Sequence, residues 1–410
     1  MIIKNEYDVP FIVSDECDIN KINSCMELIL GMKENLILNN ENFEGLSNCT
    51  GLSLLQMYCA EILLSMEKRK HIQAFEIIEK IKAFLKEESD TRSLIVCSGL
   101  SALLAGDYYL ARNSFYELLI RNPKDIFSFY VTHMIEFNNG MTSSMLETLH
   151  AVKDHWSKSD WFYGYCKGIE AFILNENGFY SESLSCGEEA LLINKDDIYA
   201  LHAICHHYYD THAYRDGRIF MERQADSWKN SYGMRLHLYW HYALFLIKDN
   251  RRHLLDETYQ LLRKKNSIDN LEDLDATSFL FRLSLDSDVG SLHNEAIDLV
   301  KSWDSHKELG FYFFNDFHAA LIFSISGRID LIDYLISQSK HSRPTGYYKT
   351  KVTLLNAIKY HALNEYEKVA DLLSKPIDFR FMGGSNAQRS IIKDVLVNAK
   401  NKMEITCEYK

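Results

Sequence analysis

The stretch Leu100–Asp125, LSALLAGDYYLARNSFYELLIRNPKD, shows the unit from which the chain is built. Its apolar residues recur at the three-to-four spacing of a buried helical face on both sides of Gly106-Asp107. Glycine ends helices because it adopts the left-handed conformation, and a helix rarely continues into a pair such as Asn122-Pro123. The stretch therefore predicts two helices, Ser93–Ala105 and Tyr108–Arg121, that are joined by a tight turn.

A second segment, Gly168–Asp197 (GIEAFILNENGFYSESLSCGEEALLINKDD), has the same arrangement, with Gly178 at the turn. Both segments have a small residue in the first helix, glycine and an aromatic at the turn, and alanine in the second helix. This is the pattern of the tetratricopeptide repeat, whose period is ~34 residues. First helices are predicted to start near residues 91, 125, 159, 196, 232, 271, 309, 346 and 385.

The sequence thus predicts an all-α fold in which tetratricopeptide-like helix pairs form a right-handed superhelical α-solenoid. A length of 410 residues exceeds the ~300 at which a single core stops growing, whereas a repeat array has no such limit. Only four prolines and eighteen glycines are present, which favours long helices over a turn-rich β fold. We expect an extended arm over residues 1–16 and one solenoid domain over residues 17–410.

The composition argues against several classes of partner. The net charge of −12 and the absence of a dense basic stripe argue against nucleic-acid binding. No apolar run approaches the ~20 residues of a membrane span, and no secretory signal opens the chain. The nine cysteines are scattered without a C-x-x-C pair, which is typical of reduced thiols. We therefore expect a cytoplasmic protein with neither a nucleic-acid nor a membrane partner.

Two His-x-x-x-His pairs, His202/His206 and His237/His241, stand in apolar helical patterns about one repeat apart. Residues four apart share a face of a helix, and equivalent positions on successive first helices line the inner wall of such an array. Both pairs are therefore expected to face one pocket. Neighbouring first helices add further polar residues at equivalent positions, namely Asp275, Ser278, Arg282, Asn315 and His318.

Several chemistries remain open for these residues. Imidazole pairs can ligate zinc, iron or copper, or act as general acid and base near neutral pH. Asp275 would orient an imidazole, and Arg282 with Arg389 would bind an anionic group. Alternatively the histidines hydrogen-bond one another and the backbone. The catalytic candidates are His202, His206, His237, His241 and His318, of which the first four are also the metal-ligand candidates; the substrate-binding candidates are Asp275, Ser278, Arg282, Asn315 and Arg389.

A series of segments in this order resembles the tetratricopeptide-repeat protein 38 family. DIYALHAICHHYYD and HLYWHYALFLIKDN resemble its two histidine helices, FNDFHAAL resembles its F-N-D-x-H motif, and GGSNAQR resembles its C-terminal signature. The resemblance is best over Trp161–Ala399, and it implies a tetratricopeptide-like fold without supplying a reaction. Some members have Glu where this chain has Tyr209, and Asp210 could stand in if the helix turns it inward.

These patterns predict a histidine-lined pocket that binds a small molecule, with a divalent metal ion as the candidate cofactor; whether the protein is an enzyme stays open. The alternative is an adaptor that holds a peptide or protein partner in its concave groove. A purely structural subunit is a third reading. Grooves of this type that bind a peptide carboxylate usually show rows of Lys, Arg and Asn, so the paired histidines favour the small-molecule pocket.

Overall fold

The computed structural model describes residues 1–13, 17–32, 51–87, 90–229, 231, 234–263, 270–286, 293–305 and 308–408. Within these residues the protein is helical apart from one short hairpin, so the predicted all-α class is confirmed. Strands β1 (Ile2–Lys4) and β2 (Pro10–Ile12) of the hairpin pair antiparallel. In the described ranges, no helix has both the length and the apolar character needed to cross a bilayer.

The helices of the described ranges follow the chain in an unbroken series. They are α1 (Cys17–Leu30), α2 (Leu52–Leu64), α3 (Lys68–Glu87), α4 (Thr91–Ala105), α5 (Tyr108–Arg121), α6 (Ile126–Asn138), α7 (Thr142–Val152), α8 (Tyr163–Glu176), α9 (Tyr180–Ile193), α10 (Ile198–Asp210), α11 (Tyr214–Arg223), α12 (Ala225–Trp228), α13 (Arg235–Lys248), α14 (Leu255–Leu262), α15 (Asn270–Asp286), α16 (His293–Ser305), α17 (Phe313–Ile325), α18 (Ile329–Gln338), α19 (Tyr348–Ala362), α20 (Tyr366–Leu373) and α21 (Asn386–Glu408).

Aspartate caps and glycine turns set where the helices of the first half begin and end. At the starts of four helices an aspartate side chain accepts a hydrogen bond from the backbone N–H three residues later, which satisfies a donor that the helix itself cannot. The helices are α4, α5, α6 and α10, and the aspartates are Asp90, Asp107, Asp125 and Asp197. Gly106 ends α4 in the left-handed conformation with φ 81°.

The chain divides into two compact units, Met1–Arg235 and Leu236–Lys410. In the first unit, α8 packs against α9 and α10, and α4 packs against α5. Small residues permit this approach, since a Cβ added to Gly99 of α4 would lie 2.7 Å from the ring of Phe115 on α5. A Cβ added to Gly168 of α8 would likewise lie 3.3 Å from the backbone nitrogen of Ala200 on α10.

The N-terminal hairpin is tied to two loops of the first unit through Tyr7, which lies between its strands. The backbone oxygen of Tyr7 accepts from the side-chain amide of Asn122, which follows α5, at 2.9 Å. The Tyr7 hydroxyl accepts from the backbone N–H of Trp161, which precedes α8, at 3.0 Å. Strand β2 also contacts α2 and α4. Whether residues 17–410 act as the single predicted domain stays a prediction.

In the second unit, α15 packs against α17, α17 against α19, and α20 and α15 against α21. Its core contains large fully buried rings, among them Trp240, Phe279 and Trp303. The Trp303 indole N–H donates to the Thr277 hydroxyl at 3.1 Å, which satisfies a buried donor. Arg263 and Asp273 form a buried ion pair at 2.8 Å.

Asp197, the cap of the histidine helix α10, gives a prediction about pH. Burial raises the pKa of this carboxyl from its usual 3.8 to about 7. The folded state therefore binds more protons than the unfolded state between these values, and stability falls as the pH rises through them. We expect Asp197→Asn, which keeps an acceptor for the N–H of Ala200, to raise the melting temperature at pH 8 and to change it little at pH 5.

Differential scanning fluorimetry at both pH values measures this effect. The matched control is Asp107→Asn, because Asp107 caps α5 from an exposed position. An equal gain at pH 8 for both variants, or a loss for Asp197→Asn alone, would contradict the assignment of a buried charge at this cap.

Candidate metal centre

The first histidine pair lies on α10, in the first unit, with His202 only 4% exposed and His206 fully buried. The Nε2 atoms of the two imidazoles are 2.9 Å apart, and the rings are nearly perpendicular. Two nitrogens this close must share a proton or a cation, because two facing lone pairs repel. Two nitrogen ligands of one zinc ion, each at ~2.0–2.1 Å, would lie about 3 Å apart, so this spacing suits a metal ion.

Both rings of the pair rest on Phe172 of α8, which is 1% exposed. The His202 ring stacks on Phe172 with centroids 5.5 Å apart, and the His206 ring meets it edge-on at 5.1 Å. Tyr199 and His133 extend the cluster, and the His133 Nε2 lies 2.6 Å from the Tyr199 hydroxyl. Burial lowers the pKa of His133 to about 3, so this imidazole is neutral at physiological pH. Packing, rather than solvent, therefore fixes the orientation of the two facing imidazoles.

Two carboxylates accompany His206. Glu176, the last residue of α8, has a side chain that is 1% exposed, and its Oε1 lies 4.0 Å from the His206 Nδ1. Asp210, the last residue of α10, accepts a hydrogen bond from the side-chain amide of Asn175 at 2.8 Å. One ligand atom from each of Glu176, His206 and Asp210 lies within 4.8 Å of the others. The first unit therefore contains a buried histidine cluster that could hold a metal ion.

The position of Glu176 decides how the protons are arranged. A carboxylate beside Nδ1 favours a proton on that nitrogen, and His206 then presents the lone pair of Nε2. The proton shared between the two Nε2 atoms consequently belongs to His202. A cation that binds both Nε2 atoms would displace this one proton and leave the rings where they are.

The second pair lies on α13, in the second unit, and both of its imidazoles are buried. The His237 Nδ1 is 3.0 Å from the Asp275 Oδ2 and 3.1 Å from its Oδ1. The His237 ring stacks on Trp240, and the His241 ring meets both neighbouring rings at centroid distances of 4.8 Å. Asp275 thus lies where it can orient His237 with Nε2 as the ligating nitrogen.

His318 of α17 has a similar arrangement without a carboxylate. Its Nδ1 donates to the carbonyl of Phe314 at 2.8 Å, which leaves Nε2 as the acceptor. Burial lowers the pKa of His318 to about 4, so the ring is neutral near pH 7. Ser278 and Asn315, both predicted to face the pocket, are also buried in this unit.

The two predicted anion-binding arginines are held by polar groups of α21 and the turn that precedes it. Arg282 forms an ion pair with Asp394 and donates to the carbonyl of Ala387 at 2.9 Å. Arg389 donates to the carbonyl of Gly384 and, at 2.8 Å, to the side chain of Asn386. Their roles towards a substrate stay predictions.

No model of a known protein family matches this chain. Membership of the tetratricopeptide-repeat protein 38 family therefore stays a prediction that rests on the motifs themselves.

Sequence reasoning missed Glu176 and left the position of Asp210 open. Both carboxylates end a helix, where an acidic residue is ordinarily solvated, and neither shares a helical face with the histidine pattern. The available signal was the pair Asn175-Glu176 in front of Gly178, since two polar residues replace apolar ones at the close of a buried helix. The structure turns Asp210 towards His206, as the comparison with Tyr209 required.

Proposed function

We propose that the protein binds a divalent transition-metal ion through buried imidazole nitrogens and uses the ion to hold a small molecule. The observation that carries this proposal is the 2.9 Å separation of the Nε2 atoms of His202 and His206. His202 and His206 would ligate the ion, Asp210 would add an oxygen ligand, and Glu176 would orient His206.

The donor set narrows the choice of metal. Imidazole and carboxylate donors suit zinc, iron, copper and nickel, whereas a thiolate would select softer ions. Cys205 lies on the same helix, but burial raises the pKa of its thiol, so it stays protonated and is a poor ligand. We therefore favour a nitrogen and oxygen site that prefers zinc or iron.

The second pair, with Asp275 at the His237 Nδ1, has the same chemistry in its own unit. The repeat register of the sequence predicts that both pairs serve one pocket, and on that prediction we expect about one ion per chain rather than two. We further propose that the helix pairs form the tetratricopeptide-like superhelix of a cytoplasmic protein. The packing of α8 on α10, and of α15 on α17, supports this proposal.

Elemental analysis of the purified protein tests the metal proposal. We expect a stoichiometric divalent metal, and we expect Co²⁺ added after chelation to give an absorption spectrum typical of nitrogen and oxygen ligands. A protein that contains no metal, and that fails to take up Zn²⁺ or Co²⁺ at about 100 μM, would overturn the proposal. That outcome, together with a stable partner recovered from cells, would favour the adaptor.

A substitution at Glu176 tests the orienting role. Glu176→Gln keeps the size of the side chain but removes its charge, so the Nδ1 proton of His206 is held less firmly. We expect the affinity for Zn²⁺ to fall by about 10- to 100-fold. Competition with a chromophoric chelator measures the affinity. Glu188→Gln, at an exposed position on α9, is the matched control and should leave it unchanged; equal affinities for both variants would remove Glu176 from the site.

A further inference from the structure

A cavity of about 330 Å³ lies among α13, α15 and α21 in the second unit, and its lining includes none of the histidines of the pairs. Three cationic side chains, those of Lys248, Arg282 and Lys402, line it together with one carboxylate, that of Asp394. Apolar side chains of Leu244, Ile247 and Val397 form part of the remaining wall. The cavity thus combines an excess of positive charge with apolar surface.

The charge balance of this lining differs from that of the whole chain. Three cations against one carboxylate leave two uncompensated positive charges, although the protein carries a net charge of −12. Lys248 reaches Asp394 only at 3.7 Å, and its side chain is 36% exposed, so it is available to a ligand at the mouth. A concave site with this excess attracts a compact dianion.

Arg282 forms the rigid part of the lining. It is 4% exposed, Asp394 holds one of its terminal nitrogens, and the carbonyl of Ala387 holds the other. Its Nε is buried and has no hydrogen-bond partner among the described residues. A buried donor without an acceptor is unfavourable, so a ligand oxygen or a water that reaches it lowers the free energy.

We propose that this cavity is a second binding site, independent of the metal, for an organic phosphate monoester with a small apolar group. A phosphate monoester carries a charge of about −1.5 to −2 at pH 7, which matches the two uncompensated cations. Its oxygens would accept from Lys248, Lys402 and Arg282, and its organic part would lie on Leu244 and Val397. A monocarboxylate would leave one cation unpaired.

Isothermal titration calorimetry of the full-length, metal-depleted protein with phenyl phosphate tests the proposal. We expect binding with a dissociation constant below about 1 mM, binding of inorganic phosphate that is at least about fivefold weaker, and no binding of benzyl alcohol. Lys248→Gln and Lys402→Gln should each weaken the binding of phenyl phosphate by about fivefold or more. Asp394→Asn should strengthen it, because the competing carboxylate is lost.

Lys393→Gln is the matched control, because Lys393 is exposed on the same helix and does not line the cavity. It should leave the affinity unchanged. Absence of binding at about 10 mM phenyl phosphate, or an equal loss in the control and cavity variants, would overturn the site. Inorganic phosphate that binds as tightly as phenyl phosphate would overturn the apolar part of the proposal. Because these variants leave the histidines intact, the metal content reports separately on the metal proposal.

Discussion

A variant with alanine at both His202 and His206 is expected to bind Zn²⁺ at least about a hundredfold more weakly than the unchanged protein. The two Nε2 atoms are the closest pair of candidate donors in the first unit, at 2.9 Å, and a carboxylate alone does not replace two imidazole ligands for zinc or iron. Competition against a chromophoric chelator measures the change, and elemental analysis should show the metal lost on purification.

The control for this variant removes two other imidazoles from the same unit. His207 follows His206 on α10 but is only partly buried, and His150 is exposed on α7. His150→Ala/His207→Ala should retain the affinity within about twofold. Equal losses in the two double variants would mean that the affinity depends on general stability rather than on the buried pair, and unchanged affinity in both would exclude His202 and His206 as ligands.

Replacement of Phe172 by alanine is expected to lower the free energy of unfolding of the first unit by about 3–5 kcal/mol. Phe172 is almost fully buried, and its ring contacts five other aromatic rings, those of His133, Phe137, Tyr199, His202 and His206. The substitution would leave a cavity directly beneath both imidazoles, so they would lose their fixed orientation as well.

Urea denaturation followed by circular dichroism measures this loss. Phe179→Ala is the matched control, because Phe179 is 45% exposed at the turn after α8, and it should cost less than about 1 kcal/mol. A loss below about 1 kcal/mol for Phe172→Ala would show that the cluster is not a packed support for the histidines. Metal-induced stabilisation should also shrink in this variant, since displaced ligands bind the ion less tightly.

The local sequence was sufficient to place most first helices. The starts predicted near residues 91, 125, 196, 271 and 385 compare with observed starts at Thr91, Ile126, Ile198, Asn270 and Asn386. These starts depend on short-range signals, namely an aspartate cap or a glycine turn beside an apolar periodic stretch. The larger offsets, 159 against Tyr163 and 309 against Phe313, occur where an extended or 3₁₀ segment precedes the helix and carries part of the apolar pattern.

The surroundings of the site could not be read in the same way. Glu176 and His206 lie 30 residues apart, on helices whose mutual rotation depends on packing at Gly168 and Phe172 rather than on local preference. Arg282 was predicted to bind an anion, and its ion pair with Asp394 joins positions 112 residues apart. Periodicity assigns a residue to a face of its own helix, but it does not say which side chain of a distant helix will meet it.

The tether formed by Tyr7 has a consequence for the order in which parts of the first unit open. Detachment of the first thirteen residues would expose the backbone N–H of Trp161 to solvent, while the helices on either side kept their own hydrogen bonds. Deuterium uptake at this single amide would then report the release of the hairpin as an event separate from helix melting. The loop in front of α8 therefore owes part of its order to a segment more than a hundred residues earlier in the chain.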